Sequence, residues 1–317
     1  PAGLLGETAA AAPRIRVTGA GAARPVADLL VADLSSMWAG PLCGQLLARA
    51  GATVVVNDMP QALDASDVLD EIGAAGSKGV AVAGDISQRS TADELVACAD
   101  GLGGLNIVVN NAGITRDRML FNMTDEDFDL VIAVHLRGHF LLTRNAATYW
   151  RNQAKESGGS VYGRIINTSS EAGLSGPVGQ ANYGAAKAGI TALTLTASRA
   201  LGRYGVRANA ICPRARTAMT ADVFGEAPPE GEIDPLSPEH VVTLVRFLAA
   251  PASDKVNGQV FIVYGPTVTL VAAPTAEHRF HAEGNAWDPS GLASSMAEYF
   301  AERDPERTFG VMGLMGD

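Results

Sequence analysis

A doubly wound α/β fold, seven parallel strands with helices on both faces, is what the sequence predicts. Two observations carry it. From about Leu29 to Val263, short β-branched runs alternate with stretches of helical character, the pattern of a parallel sheet buried on both sides. Each run is short and is bounded by Gly, Asn, Asp or Ser, the residues that end strands in tight turns. Right-handed crossovers between such runs then wind helices onto both faces.

The expected strands are Leu29–Ala32, Thr53–Asn57, Gly79–Ala83, Ile107–Asn110, Arg164–Asn167, Val206–Ile211 and Gln259–Val263. Val31 to Asp58 reads as strand, turn, helix, strand. Among the helices, Thr124-Asp-Glu-Asp127 has the form of a cap with acids in the first turn. Ser237 followed by Pro238 caps the helix over 241–249. Three segments result: an Ala/Gly-rich extension over 1–27, the α/β domain over 28–268, and a tail over 269–317. The tail carries one amphipathic candidate, Leu292–Glu302, suited to packing on the body or on a partner subunit.

At 317 residues, with 47% hydrophobic and 18% charged residues, the chain has the make-up of a globular enzyme. A net charge of −10 disfavours nucleic acid and anionic membranes, which need a basic face. No apolar run is long enough to span a bilayer. Cys43, Cys98 and Cys212 lie far apart with no Cys-x-x-Cys pair, as buried, reduced thiols would. Residues 1–12 lack the basic stretch and apolar run of a secretion signal. The expected location is cytoplasmic. His278 and His281 have no third histidine or cysteine beside them, so no metal is expected.

The chemistry starts at Tyr183-Gly-Ala-Ala-Lys187. On a helix, positions i and i+4 share a face, so the phenol and the ammonium lie together. A phenol titrates near ~10 in water, and a neighbouring Lys⁺ lowers that value. Tyr183 is thus a candidate acid for a carbonyl or base for an alcohol. Alone, the pentapeptide is more often a surface pair. Its company strengthens it. Arg164-Ile-Ile-Asn-Thr-Ser-Ser170 is a strand running into a polar turn, and ligands of open α/β sheets sit beyond the carboxyl ends of strands. Ser170 there can donate to a substrate oxygen, or serve as a plain turn serine. In Ile107-Val-Val-Asn-Asn-Ala-Gly113, Asn110 and Asn111 are expected to satisfy backbone groups of neighbouring strands. Gly113 permits a close backbone approach.

From about Ala48 to Gly265 the chain resembles the short-chain dehydrogenase/reductase family, whose fold is Rossmann-like. The residues that carry this are Asn110-Asn-Ala-Gly113, Ser170 thirteen residues before Tyr183, and Tyr-x-x-x-Lys at 183–187. More narrowly, Asn111-Ala-Gly-Ile-Thr-Arg-Asp-Arg118, Val134-His-Leu-Arg-Gly138, Gly179-Gln-Ala-Asn-Tyr183 and Arg207-Ala-Asn-Ala-Ile-Cys-Pro213 resemble the (3R)-hydroxyacyl-CoA dehydrogenase domain of peroxisomal multifunctional enzymes, also called 17β-hydroxysteroid dehydrogenase type 4. Bacterial 3-oxoacyl-(acyl-carrier-protein) reductases are similar but slightly more distant.

The resemblance implies hydride transfer between a nicotinamide and a 3-hydroxyacyl thioester or a hydroxysteroid. Tyr183 exchanges the proton, Lys187 lowers the phenol's pKa and holds the ribose, and Ser170 orients the carbonyl. It places Gly40, Asp58, Asp85, Ile86, Asn111, Ala112, Gly113, Tyr183, Lys187 and Pro213 around the cofactor. Asp58, ending the second strand, favours NAD over NADP because its charge repels a 2′-phosphate. His135 stands where many members have a proton-relay Asn. A catalytic and a packing role both remain open for it. Arg214 and Arg216, in a loop that departs from the family's Pro-Gly, are candidates for reshaping the pocket or meeting an acyl-CoA phosphate. A homodimer or homotetramer is implied, joined through helices near 137–154 and 182–202.

One stretch departs from the family. Its phosphate loop should fill residues 33–40, yet only Gly40 survives and Trp38 replaces a glycine, bringing a Cβ and a large ring where backbone should meet pyrophosphate. Ser35, Ser36 and a helix N-terminus retain some anion-binding capacity. Residues from about Val26 to Gly51 instead resemble the opening of family III CoA-transferases. The chain thus reads as a chimera, natural or engineered, joined near Leu47–Val55. A second function follows as an alternative: a cofactor-impaired homologue acting as a binding or assembly protein.

Overall fold

Alternate residues of each inner strand face opposite sides of one sheet. Val54 and Val56 enter one core while Val55 enters the other, and Ile107 and Val109 oppose Val108 in the same way. The structure is a computed structural model that describes residues 30–33, 47, 51–216, 225, 227–229, 232, 234–305 and 307–309.

Among the described residues, eight strands form the sheet: β1 Leu30–Asp33, β2 Thr53–Asp58, β3 Gly79–Ala83, β4 Ile107–Asn110, β5 Gly163–Thr168, β6 Val206–Pro213, β7 Val260–Tyr264 and β8 Thr267–Leu270. Their order is β3-β2-β1-β4-β5-β6-β7-β8. The first seven run parallel, as the sequence predicts. β8 is an addition, antiparallel to β7. Gly265 takes φ +53°, which lets a two-residue Gly-Pro turn fold the chain back on itself. The boundary expected at residue 268 therefore falls inside β8.

The helices with described bounds are α1 Pro60–Asp64, α2 Val68–Ala74, α3 Arg89–Gly101, α4 Asp125–Ile132, α5 Gly138–Ser157, α6 Ala172–Ser175, α7 Ala181–Leu201, α8 Pro238–Ala249 and α9 Pro289–Glu302. A π turn, Ala133–Arg137, joins α4 to α5. Both expected caps are present: Thr124 Oγ1 accepts from Asp127 N at 3.1 Å, and Ser237 Oγ accepts from Glu239 N at 3.3 Å. One core packs Val241, Val245 and Leu248 of α8 with Ile72 of α2 beneath the sheet. The other packs Leu95 of α3, Leu142 and Trp150 of α5 and Ala197 of α7 above it. β4 and β5 are buried along their whole length, which fixes the central strand ends that carry the site.

The tail helix begins at Pro289, three residues before the expected start, because Asp288 accepts from Ser290 N and Gly291 N. None of its residues is buried. Its partners lie in the tail itself: Arg303 donates twice to Glu277 at 3.0 Å, and His278 stacks on Tyr299 at 4.5 Å. A cleft of about 690 Å³ lies among Glu277, Phe280, Phe300, Arg303 and Arg307, all within the tail.

Candidate active site

The strand order reverses between β1 and β4, and in such sheets ligands lie beyond the carboxyl ends of the strands at that point. β4 ends there at Asn110 and β5 at Thr168, followed by Ser169 and Ser170. α7 brings Tyr183 and Lys187 against them. Asn182, wholly buried, fixes the start of that helix. Its Nδ2 donates to the carbonyls of Arg116 at 2.9 Å and Asp127 at 3.1 Å, and its Oδ1 accepts from Tyr183 N at 2.7 Å. Sequence reasoning missed Asn182, although an amide just ahead of the tyrosine at a helix start is a visible signal.

Ser170, Tyr183 and Lys187 do come together. Lys187 Nζ stands over the Tyr183 ring, 5.3 Å from its centroid, and donates to the Thr168 carbonyl at 2.7 Å. Ser170 lies beside the Tyr183 side chain. The electrostatics reverse the expectation. Burial pushes the Tyr183 phenol up to about 12, the Ser170 hydroxyl opposing it. Burial also pushes the Lys187 amine down to about 7. The ammonium faces the ring, and its own desolvation weakens the positive charge that was to lower the phenol's pKa.

His135 joins the same group. Its ring meets Tyr183 edge-on, with centroids 5.2 Å apart, and is almost fully buried. Nε2 lies 2.9 Å from Ile114 N and 2.7 Å from Ile114 O. Burial, with a contribution from Lys187, drives its pKa down to about 3, so the imidazole is neutral near pH 7. Gly113 runs against this ring, and a Cβ there would overlap it. The close approach expected at Gly113 is thus made to the protein's own imidazole.

Asn110 differs from expectation. The Asn110 amide nitrogen bonds side chains rather than neighbouring backbone. Asn110 Nδ2 donates to Asn167 Oδ1 at 2.8 Å and Thr143 Oγ1 at 3.1 Å. Asn167 passes the network to Thr194 Oγ1 at 2.8 Å. Asn111 Oδ1 accepts from Thr168 Oγ1 at 3.0 Å. An amide in a parallel strand whose ladder is complete is left to seek side-chain partners. Ala112 is partly buried against the upper core.

Of the other expected cofactor residues, Asp58 closes β2 and accepts from Met59 N at 2.6 Å. Asp85 accepts from Ser87 N at 2.8 Å, and Pro213 ends β6. The Ile86 side chain is buried against Gly138, so it packs the core, leaving only its backbone for a ligand. Gly40 and Trp38 lie outside the described residues, as does most of the stretch resembling a CoA-transferase. Arg214 forms two 2.6 Å hydrogen bonds with Glu171, and Arg216 pairs with Asp234 at 3.4 Å. Both guanidiniums therefore have carboxylate partners within the fold.

The described residues fit a dinucleotide. Lys187 has three N–H groups and one recorded acceptor, in a buried position beside the switch point. Asp58 stands at the β2 end, where a ribose is received.

The sequence pattern of a family described as short chain dehydrogenase matches residues 40–227. A hydroxyacyl-CoA dehydrogenase of Mycobacterium tuberculosis, ChsB1, is 74% identical over 276 residues, covering 85% of this chain and 87% of the relative. The peroxisomal hydratase-dehydrogenase-epimerase of Saccharomyces cerevisiae is 39% identical over 223 residues, 68% of this chain and 23% of that longer protein. Among solved structures, a short chain dehydrogenase from Mycobacterium avium has a TM-score of 0.78 at 40% identity, covering 89% of this chain and 98% of its own.

Proposed function

The chain belongs to the short-chain dehydrogenase family, and on that footing we propose that it interconverts a 3-hydroxyacyl thioester and its 3-oxo form with NAD. The observation that carries this is the assembly of Ser170, Tyr183 and Lys187 on one strand end, in a chain 74% identical to a protein named a hydroxyacyl-CoA dehydrogenase. A binding-only homologue is not favoured, because the groups needed for proton transfer are all in place.

When bound, the nicotinamide accepts or supplies the hydride. The protein's own residues do the rest. In reduction, the Tyr183 hydroxyl, protonated throughout the neutral range, gives its proton to the substrate oxygen while Ser170 donates a hydrogen bond to it. In oxidation, the phenol oxygen takes the alcohol proton. Lys187 offers its remaining N–H groups to the ribose hydroxyls. Asp58 accepts from the adenosine ribose and selects NAD over NADP.

An apolar lip supports an acyl substrate. Leu120 and Phe121 are 74% and 78% exposed, and Val178 is 83% exposed. Their two segments are tied by Arg118 N donating to Gly179 O at 2.9 Å, just ahead of Tyr183. Exposed apolar groups clustered beside a site mark a surface that meets a hydrophobic ligand. We place the chain in a homodimer or homotetramer through α5 and α7.

The test is NADH formation with 3-hydroxyacyl-CoA thioesters of increasing chain length, beside a hydroxysteroid. Turnover that prefers longer acyl chains, and that drops about 100-fold or more in Tyr183→Phe, supports the reading. Turnover of the steroid alone overturns it. Asp58→Ala should raise use of NADP relative to NAD by about ten-fold; an unchanged ratio removes the cofactor assignment.

A further inference from the structure

Behind Tyr183, three side chains at intervals of four line one face of the π turn and α5: His135, His139 and Thr143. All three are buried, with His139 wholly so. They face the end of β4. Thr143 is satisfied, since Asn110 Nδ2 donates to it, and the network beyond it closes through Asn167 and Thr194. Its near end is open. Asn110 Oδ1, His135 Nδ1 and both ring nitrogens of His139 are buried without a hydrogen-bonding protein group. The carbonyls of His135 and Asn110 lie beside the His139 ring without the alignment of a hydrogen bond.

Four of the five such orphaned atoms among the described residues thus belong to one cluster. A neutral imidazole always presents one N–H and one lone pair. Two imidazoles and an amide oxygen therefore offer both donors and acceptors, and they do not satisfy one another. Buried polar atoms in native proteins are paired with protein or with ordered water, and a buried water takes two to four such partners. The cluster also touches the reaction centre, since His135 lies edge-on to Tyr183.

We propose that Asn110, His135 and His139 hold ordered water behind the reaction centre, and that His139 is a positioning residue that sets the His135 tautomer through that water. His135 Nε2 has an N–H and a carbonyl of Ile114 within reach, so its tautomer is not fixed from that side. What sits at Nδ1 decides it. The tautomer in turn fixes how the His135 ring is held edge-on against Tyr183.

The kinetic arm of the test rests on the proposed dehydrogenase activity, and the others do not. In a high-resolution crystal structure, water within hydrogen-bonding distance of both Asn110 Oδ1 and the His139 ring supports the proposal. Direct packing with no water there overturns it. In ¹⁵N spectra of the histidine rings, His135 should show a single tautomer in the wild-type protein and a mixture or the other form in His139→Leu. An unchanged tautomer overturns the positioning role. With NAD and a 3-hydroxyacyl-CoA, His139→Leu should lose kcat roughly ten-fold, with a larger solvent isotope effect and an unchanged KM for NAD, while His139→Gln stays within about three-fold. Loss of stability alone, with kcat and isotope effect unaltered, overturns it. Should His139→Leu not fold, the spectra and isotope effect of His139→Gln decide on the same criteria. A wild-type protein inactive on the thioester sinks the substrate assignment and leaves the water and tautomer readouts standing.

Discussion

Gly113 and His135 are packed so closely that no side chain larger than hydrogen fits at residue 113 without displacing the imidazole. The glycine at the end of Asn-Asn-Ala-Gly is therefore held by a neighbour on the π turn, and that neighbour meets Tyr183 edge-on.

Gly113→Ala should accordingly cost about 1–3 kcal/mol of stability, the usual range for overpacking a filled interior. The cost should shrink in a His135→Asn background, because the smaller amide leaves room. A double-mutant cycle by urea unfolding measures this. Additive effects would separate the two residues.

Lys187 gives a pH signature in the protein without cofactor. Its folded pKa of about 7 lies below the ~10.4 of an exposed lysine. Between those values the unfolded chain binds more protons than the folded one, so stability rises with pH, by up to ~1.4 kcal/mol per unit. Below pH 7 both states are charged and no further change comes from this group. Lys187→Met should abolish the rise and cut turnover by about 100-fold or more. Melting temperatures between pH 7 and 10 test the first effect.

Much of this was legible beforehand. Each of the seven parallel strands was visible because β4 and its neighbours are short apolar runs closed by polar turns. The grouping of Ser170, Tyr183 and Lys187 followed from strand-end position and helical spacing. Three features were not. The charge balance between Tyr183 and Lys187 depends on burial, which residue spacing does not report. His139 lies outside the patterns that singled out His135, and only its burial without partners makes it conspicuous. Arg214, with Arg216, was a candidate for reshaping the pocket or meeting an acyl-CoA phosphate; Glu171, forty-three residues earlier, meets it only in three dimensions. The strand Thr267–Leu270 was readable from Gly265-Pro266 between apolar runs, and the boundary expected at residue 268 cuts through it.

Acid should unfold this protein in a way set by its buried imidazoles. His135, at about 3, and His139, held well below the ordinary value by burial, both stay neutral in the fold. In the unfolded chain each takes a proton near pH 6.5. Below that pH the unfolded state binds more protons, so stability falls as pH drops from 6.5 towards 3. The loss amounts to ~1.4 kcal/mol per unit for each histidine. His135→Asn should roughly halve the histidine part of that slope. An unchanged acid limb in urea titrations from pH 6.5 to 4 would show that His135 is protonated in the folded protein.

The pair Glu171–Arg214 ties the Ser170 turn to the end of β6. Both side chains are about one-fifth exposed, and Arg214 also lies over the Tyr264 ring at 5.2 Å. Because the guanidinium is already held by a carboxylate, it is poorly placed to attract a phosphate. Arg214→Ala should therefore not weaken a CoA thioester more than a thioester lacking the nucleotide. Its KM for both should move together, within about three-fold, while kcat falls as the serine turn loosens. Glu171→Gln takes the carboxylate from a mostly buried cation and should cost about 1–3 kcal/mol in stability. A KM increase confined to the CoA form in Arg214→Ala would restore the arginine as a phosphate ligand and show that Glu171 gives it up when substrate arrives.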